Sequence, residues 1–346
     1  MAIESLRQVG QTFASPVLTF FSQQLAQFPS NHYFFLAREG YWLEQAYDTY
    51  QHARGVKTNS QYLLASRAFL FKLGLIEPKS YDISLDFSFS GSLYELMRTR
   101  FMLSDVSIRK LFDEKQQTKS IVLPHDLEKI AQLLQEKLPQ LEAIIAPSMN
   151  AYRHYLSSLG FFDHKQVHLV DLGYSGSIQT LLSLLFHVDS VGHYLIASKP
   201  GQRTHNGNQL TMKGYLNEGS KLGEGYTPLD RSMLLEAVLT APTGQFQDIR
   251  FDETGEQTYQ FFFGRKVRSQ HNFHTLEAMM KAALESIEQH SVLDISFEKQ
   301  EVEQILTSHM KKQGMFPRSC WEVFSLDDDI AGEGTLDALD FWGLKR

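Results

Sequence analysis

Four short apolar runs, each ending in a small or charged residue before a helical pattern begins, constrain this chain more than any other feature. Tyr33–Ala37 (YFFLA) is followed by Arg38-Glu39-Gly40 and a helical stretch from Tyr41 to about His52. Tyr62–Ala65 closes on Ser66-Arg67. Val167–Leu172 (VHLVDL) leads into Gly173-Tyr174-Ser175-Gly176-Ser177 and a helical pattern over Ile178–Phe186. His193–Ala197 ends at Ser198-Lys199-Pro200-Gly201. Apolar runs this short, alternating with helices, read as buried parallel strands in βαβ units. In such sheets ligands bind where the carboxyl ends of the strands meet the following loops, and all four turns sit at that end.

The remaining segments are mainly helical. Between the second and third runs, Leu93–Phe101 and Ser107–Phe112 have helical character. Leu127–Ile145 carries apolar residues at helical spacing, with Pro139 opening a second helix. Further on, helices are predicted over Arg231–Leu239, Thr275–His290 and Lys299–Lys312, the last stopped by Gly314. Phe246–Arg250 and Gln257–Phe263 read as a hairpin across Asp252–Gly255. The expected fold is therefore α/β, with a mainly parallel sheet. Its core spans residues 1–250, with a helical insertion at about 75–160, and a helical region over 251–346 packs on it.

Composition narrows the function classes. The chain has 346 residues, 42% of them hydrophobic and 12% aromatic, enough for a full-sized core. Its 33 Lys and Arg against 40 Asp and Glu give a net charge of −7, which argues against the basic footprint of a nucleic-acid binder. The single cysteine, Cys320, removes an intrachain disulfide framework and fits a reducing compartment. From Gln8 to Ala37 there is no charged residue, yet five Gln, Pro16 and Pro29 interrupt it. It falls short of the roughly 20 apolar residues that a membrane span needs. A buried amphipathic helix around Val17–Phe28 is the expectation, with a peripheral membrane contact as the alternative.

The segment Val170-Asp171-Leu172-Gly173-Tyr174-Ser175-Gly176-Ser177 holds the strongest chemical signal. Backbone N–H groups of Ser175–Ser177 at a helix start suit a phosphate dianion, and Asp171 can accept hydrogen bonds from sugar hydroxyls. A plain helix N-cap by Ser175 or Ser177, with Asp171 in a structural bond, suits the same residues. Neither the Walker A motif nor the dinucleotide fingerprint is present. Arg38 has the planar fork for a diphosphate, and Glu39 can engage a Mg²⁺ shell, bind a hydroxyl or act as a base. A solvated ion pair is the competing reading, but Ser66-Arg67 repeats the arrangement on the neighbouring run. Asp230, Arg231 and Glu236, before the Thr240–Gly244 turn, either line an acceptor cleft or end a helix.

Other groups weigh less. The thirteen histidines do not form a recognisable metal motif. Asp327-Asp328-Asp329 lacks the apolar strand and the Thr of an aspartyl phosphatase signature, and reads as a solvated loop. Ser66 has no nearby His or acid for a hydrolase triad.

At FFLAREGYWL (34–43), YLLASRA (62–68), HLVDLGYSGSIQ (168–179) and the Leu235–Gly244 stretch, the sequence resembles the glycan phosphoribosyltransferase module of bacterial surface-polysaccharide proteins. The resemblance covers roughly residues 15–250. It implies transfer of 5-phosphoribose from phosphoribosyl diphosphate (PRPP) to a hydroxyl of an O-antigen or capsule acceptor. The α-configured donor would give a β-ribofuranoside by inversion, with release of diphosphate. The acceptor is expected to be lipid-linked at the inner membrane face, with the enzyme in the cytoplasm or peripheral at that membrane. Mg²⁺, held mainly by the donor diphosphate and water, is the implied cofactor.

By the same resemblance, Asp171 with Gly173, Tyr174, Ser175, Gly176 and Ser177 would hold the ribose 5-phosphate. Arg38, Gly40, Ser66 and Arg67 would hold the diphosphate, with Glu39 and Asp171 as catalytic groups. Glu39 or an acid from the helical insertion would deprotonate the acceptor. Leu172 replaces the second acid usual in the family's signature, and without a strand-borne Asp-x-Asp-x-Thr a fused haloacid-dehalogenase-type phosphatase half is not expected. A separate phosphatase would then remove the 5-phosphate. The competing classes are a sugar-phosphate phosphohydrolase, a nucleotide-sugar glycosyltransferase and a non-catalytic polysaccharide-assembly subunit.

Overall fold

The computed structural model describes residues 2–345, except Pro29, Asn31, Thr254 and 328–333. A six-stranded sheet has the order β2-β1-β5-β6-β8-β7. Its strands are β1 (His32–Leu36), β2 (Asn59–Leu63), β5 (Gln166–Asp171), β6 (Asp189–Ala197), β7 (Gly201–His205) and β8 (Asn208–Glu218). Every neighbouring pair is parallel except β7–β8 at one edge. The chain is therefore α/β with a mainly parallel sheet.

The β1 sequence shows why these runs lack polar alternation. Tyr33 and Phe35 join one buried apolar cluster, whereas Phe34 and Leu36 join another on the opposite face. Both faces are covered, so successive residues must all be apolar, and each buried aromatic contributes about 1.5–3 kcal/mol. The first face is covered by helices Ser15–Gln27, Gly40–Ala53 and Phe273–Val292. The second is covered by helices Arg67–Gly74, Leu138–Ser158 and Ser177–Phe186.

The N-terminal helix is longer than expected from Val17–Phe28: helices Ala2–Val9 and Ser15–Gln27 are joined by a π-helical turn at Gly10–Ala14. A Cβ on Gly10 would lie 2.0 Å from the Met279 carbonyl oxygen, so only glycine allows this approach to helix Phe273–Val292. Among the described residues no helix is long and apolar enough to cross a membrane.

Two departures involve strands that the sequence did not show. Within the insertion, β3 (Phe89–Ser92) and β4 (Ser120–Leu123) pair antiparallel, in pieces too short to show a period in sequence. β7 and β8 were not expected, although Asn206-Gly207 between them is a hairpin turn dipeptide. Both turn residues have positive φ, 49° and 89°. The predicted hairpin is present as β9 (Phe246–Asp252) and β10 (Gly255–Phe263). A last pair, β11 (Ser325–Asp327) and β12 (Thr335–Asp337), packs against helix Met233–Val238.

Strand order positions the site. From β1 the chain crosses to β2 on one side, while β5, β6 and β8 extend the sheet on the other. Helix Gly40–Ala53, after β1, and helix Ser177–Phe186, after β5, lie on opposite faces. A crevice therefore opens between the carboxyl ends of β1 and β5, the switch point of the topology.

Candidate active site

A cavity of about 490 Å³ occupies this crevice. Its walls include Ala37–Glu39 after β1, Ala65–Arg67 after β2, Asp171–Ile178 after β5 and Ser198 after β6. Leu229, Ser232 and Glu236 close one side, with Gln245 and Phe246 at the start of the β9–β10 hairpin. The ends of four strands, the first and last of them 161 positions apart in sequence, thus share one space.

The turn after β5 is shaped by close packing. A Cβ on Gly173 would stand 2.8 Å from the Ile196 carbonyl oxygen, so the chain there must be glycine to pass β6. Ser198 N–H donates to the Tyr174 carbonyl at 2.8 Å, and Ile196 N–H to that of Leu172 at 3.2 Å. Gly176 caps helix Ser177–Phe186 with φ 71°, a left-handed conformation suited to glycine. No side chain caps the first turn, unlike the Ser175 or Ser177 N-cap considered from sequence. Ser177 and Ile178, the first residues of that helix, line the cavity, and the N–H groups and dipole of a helix start favour an anion. The Ala37–Arg38 and Gly173–Tyr174 peptide bonds, on the two strand ends flanking the crevice, are both cis.

Three carboxylates face one another here. Asp171 Oδ1 accepts the N–H of Leu172 at 2.8 Å. Burial nevertheless holds the Asp171 carboxyl well above the usual carboxylate range, and the negative charges of Glu39 and Glu236 add to this. Glu236 is also raised, first by burial and then by Glu39, with Arg38 opposing. Glu39 Oε2 accepts the N–H of Arg38 at 3.2 Å, and its Oε1 lies 3.8 Å from the Arg38 guanidinium. Tyr174 OH and Ser232 Oγ donate to Glu236 Oε1 at 3.1 and 3.2 Å.

The other expected residues divide. Arg67 lines the cavity, its guanidinium 5.2 Å over the Phe87 ring, and its charge opposes the rise of Asp171. Ser66 also lines it, but its hydroxyl is committed: Oγ donates to the Phe246 carbonyl at 2.6 Å and accepts Phe69 N–H at 3.1 Å. Gly40 lies outside the wall, where a Cβ would meet the Phe35 carbonyl carbon at 2.5 Å; it lets the helix approach β1.

Asp230 and Arg231 do not reach the cavity wall. Asp230 accepts N–H bonds from Gly223 and Gly225 at 2.6 and 2.9 Å, closing a glycine-rich loop. Arg231 donates to the Met310 carbonyl and lies 4.7 Å over the Trp342 ring, tying two C-terminal segments together. Of that acceptor trio only Glu236 is in the cavity.

The reading of 327–329 as a solvated loop is corrected for Asp327, whose side chain is 4% exposed. It lies 3.8 Å from the Arg38 guanidinium and 3.5 Å from that of Arg265, so a buried charge is compensated by cations. Asp328 and Asp329 lie outside the described residues. Sequence reasoning also missed Tyr194, which lines the cavity and donates to Gln179 Oε1 at 3.1 Å. Arg203, on β7, donates to Thr180 Oγ1 at 2.9 Å and adds positive charge beside the Gly176 turn. Recognising Asn206-Gly207 as a turn would have placed Arg203 on a strand beside the core.

Among the described residues no three His, Cys, Asp or Glu side chains converge to cage a metal ion. Glu39 has both oxygens turned to Arg38, so a hard divalent ion bound here would take most of its ligands from substrate phosphate and water, with Asp171 as a carboxylate donor on the cavity wall. No protein-family model and no curated protein matches the chain.

Proposed function

We propose that this chain is a glycan phosphoribosyltransferase of phosphoribosyltransferase-like fold. It transfers 5-phosphoribose from PRPP to a hydroxyl of a bacterial surface-polysaccharide acceptor. The observation that supports this reading most is the single crevice joining a Gly/Ser phosphate turn, two arginines and facing carboxylates at the switch point of a parallel sheet.

In this reading the 5-phosphate sits against the turn Gly173–Ser177, and Asp171 accepts hydrogen bonds from ribose hydroxyls. Arg38 and Arg67 hold the diphosphate from neighbouring strand ends, with paired donors suited to its oxygens. Bound with the donor, Mg²⁺ supplies further neutralisation of the leaving diphosphate. The walls orient the donor so that C1 faces the acceptor, and the protein contributes mainly positioning and electrostatics as oxocarbenium character develops. Glu39, fixed against Arg38, maintains the position of that guanidinium. Inversion at C1 gives a β-ribofuranoside that keeps its 5-phosphate until a phosphatase removes it. The acceptor is lipid-linked at the inner membrane face, so the enzyme works in the cytoplasm or peripherally at that membrane.

The test is phosphorus NMR of the full chain with PRPP, Mg²⁺ and a synthetic O-antigen or capsule acceptor. Acceptor-dependent diphosphate should appear with a product that retains a phosphate monoester. Asp171→Ala should lower the rate about 100-fold or more, in line with loss of a group acting on the reacting centre. Release of inorganic phosphate alone, or an unimpaired variant, would sink the reading.

A further inference from the structure

The three carboxylates in the crevice are held differently. Glu39 presents both oxygens to Arg38, one to its N–H and one to its guanidinium. Asp171 keeps Oδ1 on Leu172 N–H and has Oδ2 without a hydrogen bond among the described residues, but it stands at the start of the phosphate turn, where the reading above commits it to the donor sugar. Glu236 differs. Its Oε1 is anchored twice, by Tyr174 OH at 3.1 Å and Ser232 Oγ at 3.2 Å. Its Oε2 makes no hydrogen bond among the described residues and is not sealed from the cavity. Glu236 also stands on the wall contributed by helix Met233–Val238, an element separate from the strand ends that present Arg38 and Arg67 to the same cavity.

We propose that Glu236 is the general base for the acceptor hydroxyl, and that the sugar bearing this hydroxyl enters along the Leu229, Ser232 and Glu236 wall. This rests on the phosphoribosyltransferase reading above. The acceptor oxygen forms its bond to C1 as the C1–O bond to diphosphate breaks. The electron pair of that bond leaves with diphosphate, and the acceptor proton passes to Glu236 Oε2. Anchoring Oε1 holds the other oxygen in one direction, the positioning a proton acceptor needs.

The groups around Glu236 support the same role. Arg38 and Glu39 reach it from the β1 end, Asp171 and Tyr174 from the β5 turn, and Ser232 from its own helix. From β11 Asp327 approaches the same region through Arg38. Burial and the facing carboxylates raise Glu236, with Arg38 in partial opposition. A base raised toward the working pH is better matched to accept a hydroxyl proton than an ordinary carboxylate.

The experiment uses the full chain with PRPP and Mg²⁺. Calorimetry measures donor binding, and phosphorus NMR measures diphosphate release to water and to a panel of octyl pyranosides. Glu236→Gln is expected to bind PRPP within about threefold of wild type and to lose about 100-fold or more in turnover. Turnover of wild type should rise with pH through the raised carboxyl, and the variant should lack that limb. Glu236→Asp should retain part of the rate. Should Glu236→Gln fail to fold, Ser232→Ala and Tyr174→Phe decide, because releasing Oε1 should shift the acid limb in both; unshifted limbs overturn the assignment.

Failure of wild type to bind PRPP overturns the phosphoribosyltransferase reading and this assignment together. Normal turnover by Glu236→Gln in an enzyme that does release diphosphate overturns the assignment alone. Bound donor that passes to neither water nor any pyranoside also overturns it, since an aligned base would activate water.

Discussion

Two clusters of buried charge in this molecule are built on different plans. The first joins helix Arg67–Gly74, helix Leu138–Ser158 and the β9–β10 hairpin through Asp248. Its Oδ2 lies 2.9 Å from Lys72 Nζ and 2.9 Å from the Arg250 guanidinium, while Oδ1 accepts Ser148 Oγ at 2.6 Å. Burial lowers Lys72, and Asp248 opposes this directly. The second cluster is the crevice, where the ion pairs Arg38–Glu39 and Arg38–Asp327 are both 3.8 Å long. There, carboxylates raise one another. Short pairing of opposite charges is what holds a fold together. Like charges facing a cavity suit a ligand that brings its own cations and hydrogen-bond donors.

Three perturbations sharpen or break this contrast. The largest effect should come from Asp248→Ala, which leaves Lys72 and Arg250 without their shared anion. It should lower stability by about 3–5 kcal/mol in urea unfolding, while the folded fraction still binds PRPP. A change well under 1 kcal/mol would show that the compact cluster is no more structural than the crevice.

Asp327→Asn should act next, on binding. With its buried anion gone, Arg38 loses one of its carboxylate neighbours, and the KM for PRPP should rise about three- to tenfold with kcat less affected. Asp327→Glu should restore most of it. No change in KM would separate the β11 segment from the site.

The smallest effect is on stability, and its sign is informative. Folding raises Asp171 and Glu236, so it favours their protonated forms. That contribution is fully present below the ordinary carboxylate values and is lost as pH rises through the raised ones. An Asp171→Asn, Glu236→Gln double variant avoids the loss. At neutral pH it should be more stable than wild type by about 1 kcal/mol, or roughly 2 °C in Tm, while inactive. A less stable double variant would mean that these carboxylates are structural like Asp248.

The strands and turns around the crevice were legible because each is a local signal. Tyr33–Leu36 is uninterrupted by polar residues, and Gly173–Ser177 follows an apolar run directly. β7 and β8 were missed because polar residues interrupt both, although the turn between them was plain. Asp230, Arg231 and Glu236 looked alike in sequence, yet only Glu236 turns into the cavity, because the helix of Glu236 packs against β11 while Asp230 closes a loop. Asp327 looked solvated because neighbouring aspartates hid a strand only three residues long.

What the sequence determined by itself is the set of strand–turn–helix units, since hydrophobic period and turn chemistry act over a few residues. Which units meet was decided by the tertiary structure. β1 and β5 are neighbours in the sheet although helices, a small sheet and β2 intervene between them. Only that pairing brings Arg38, Glu39 and Asp171 together, and only the packing of helix Met233–Val238 adds Glu236. The physical reason is range: a carboxylate is raised or an arginine held by charges a few ångströms away, and those distances exist only after long-range packing.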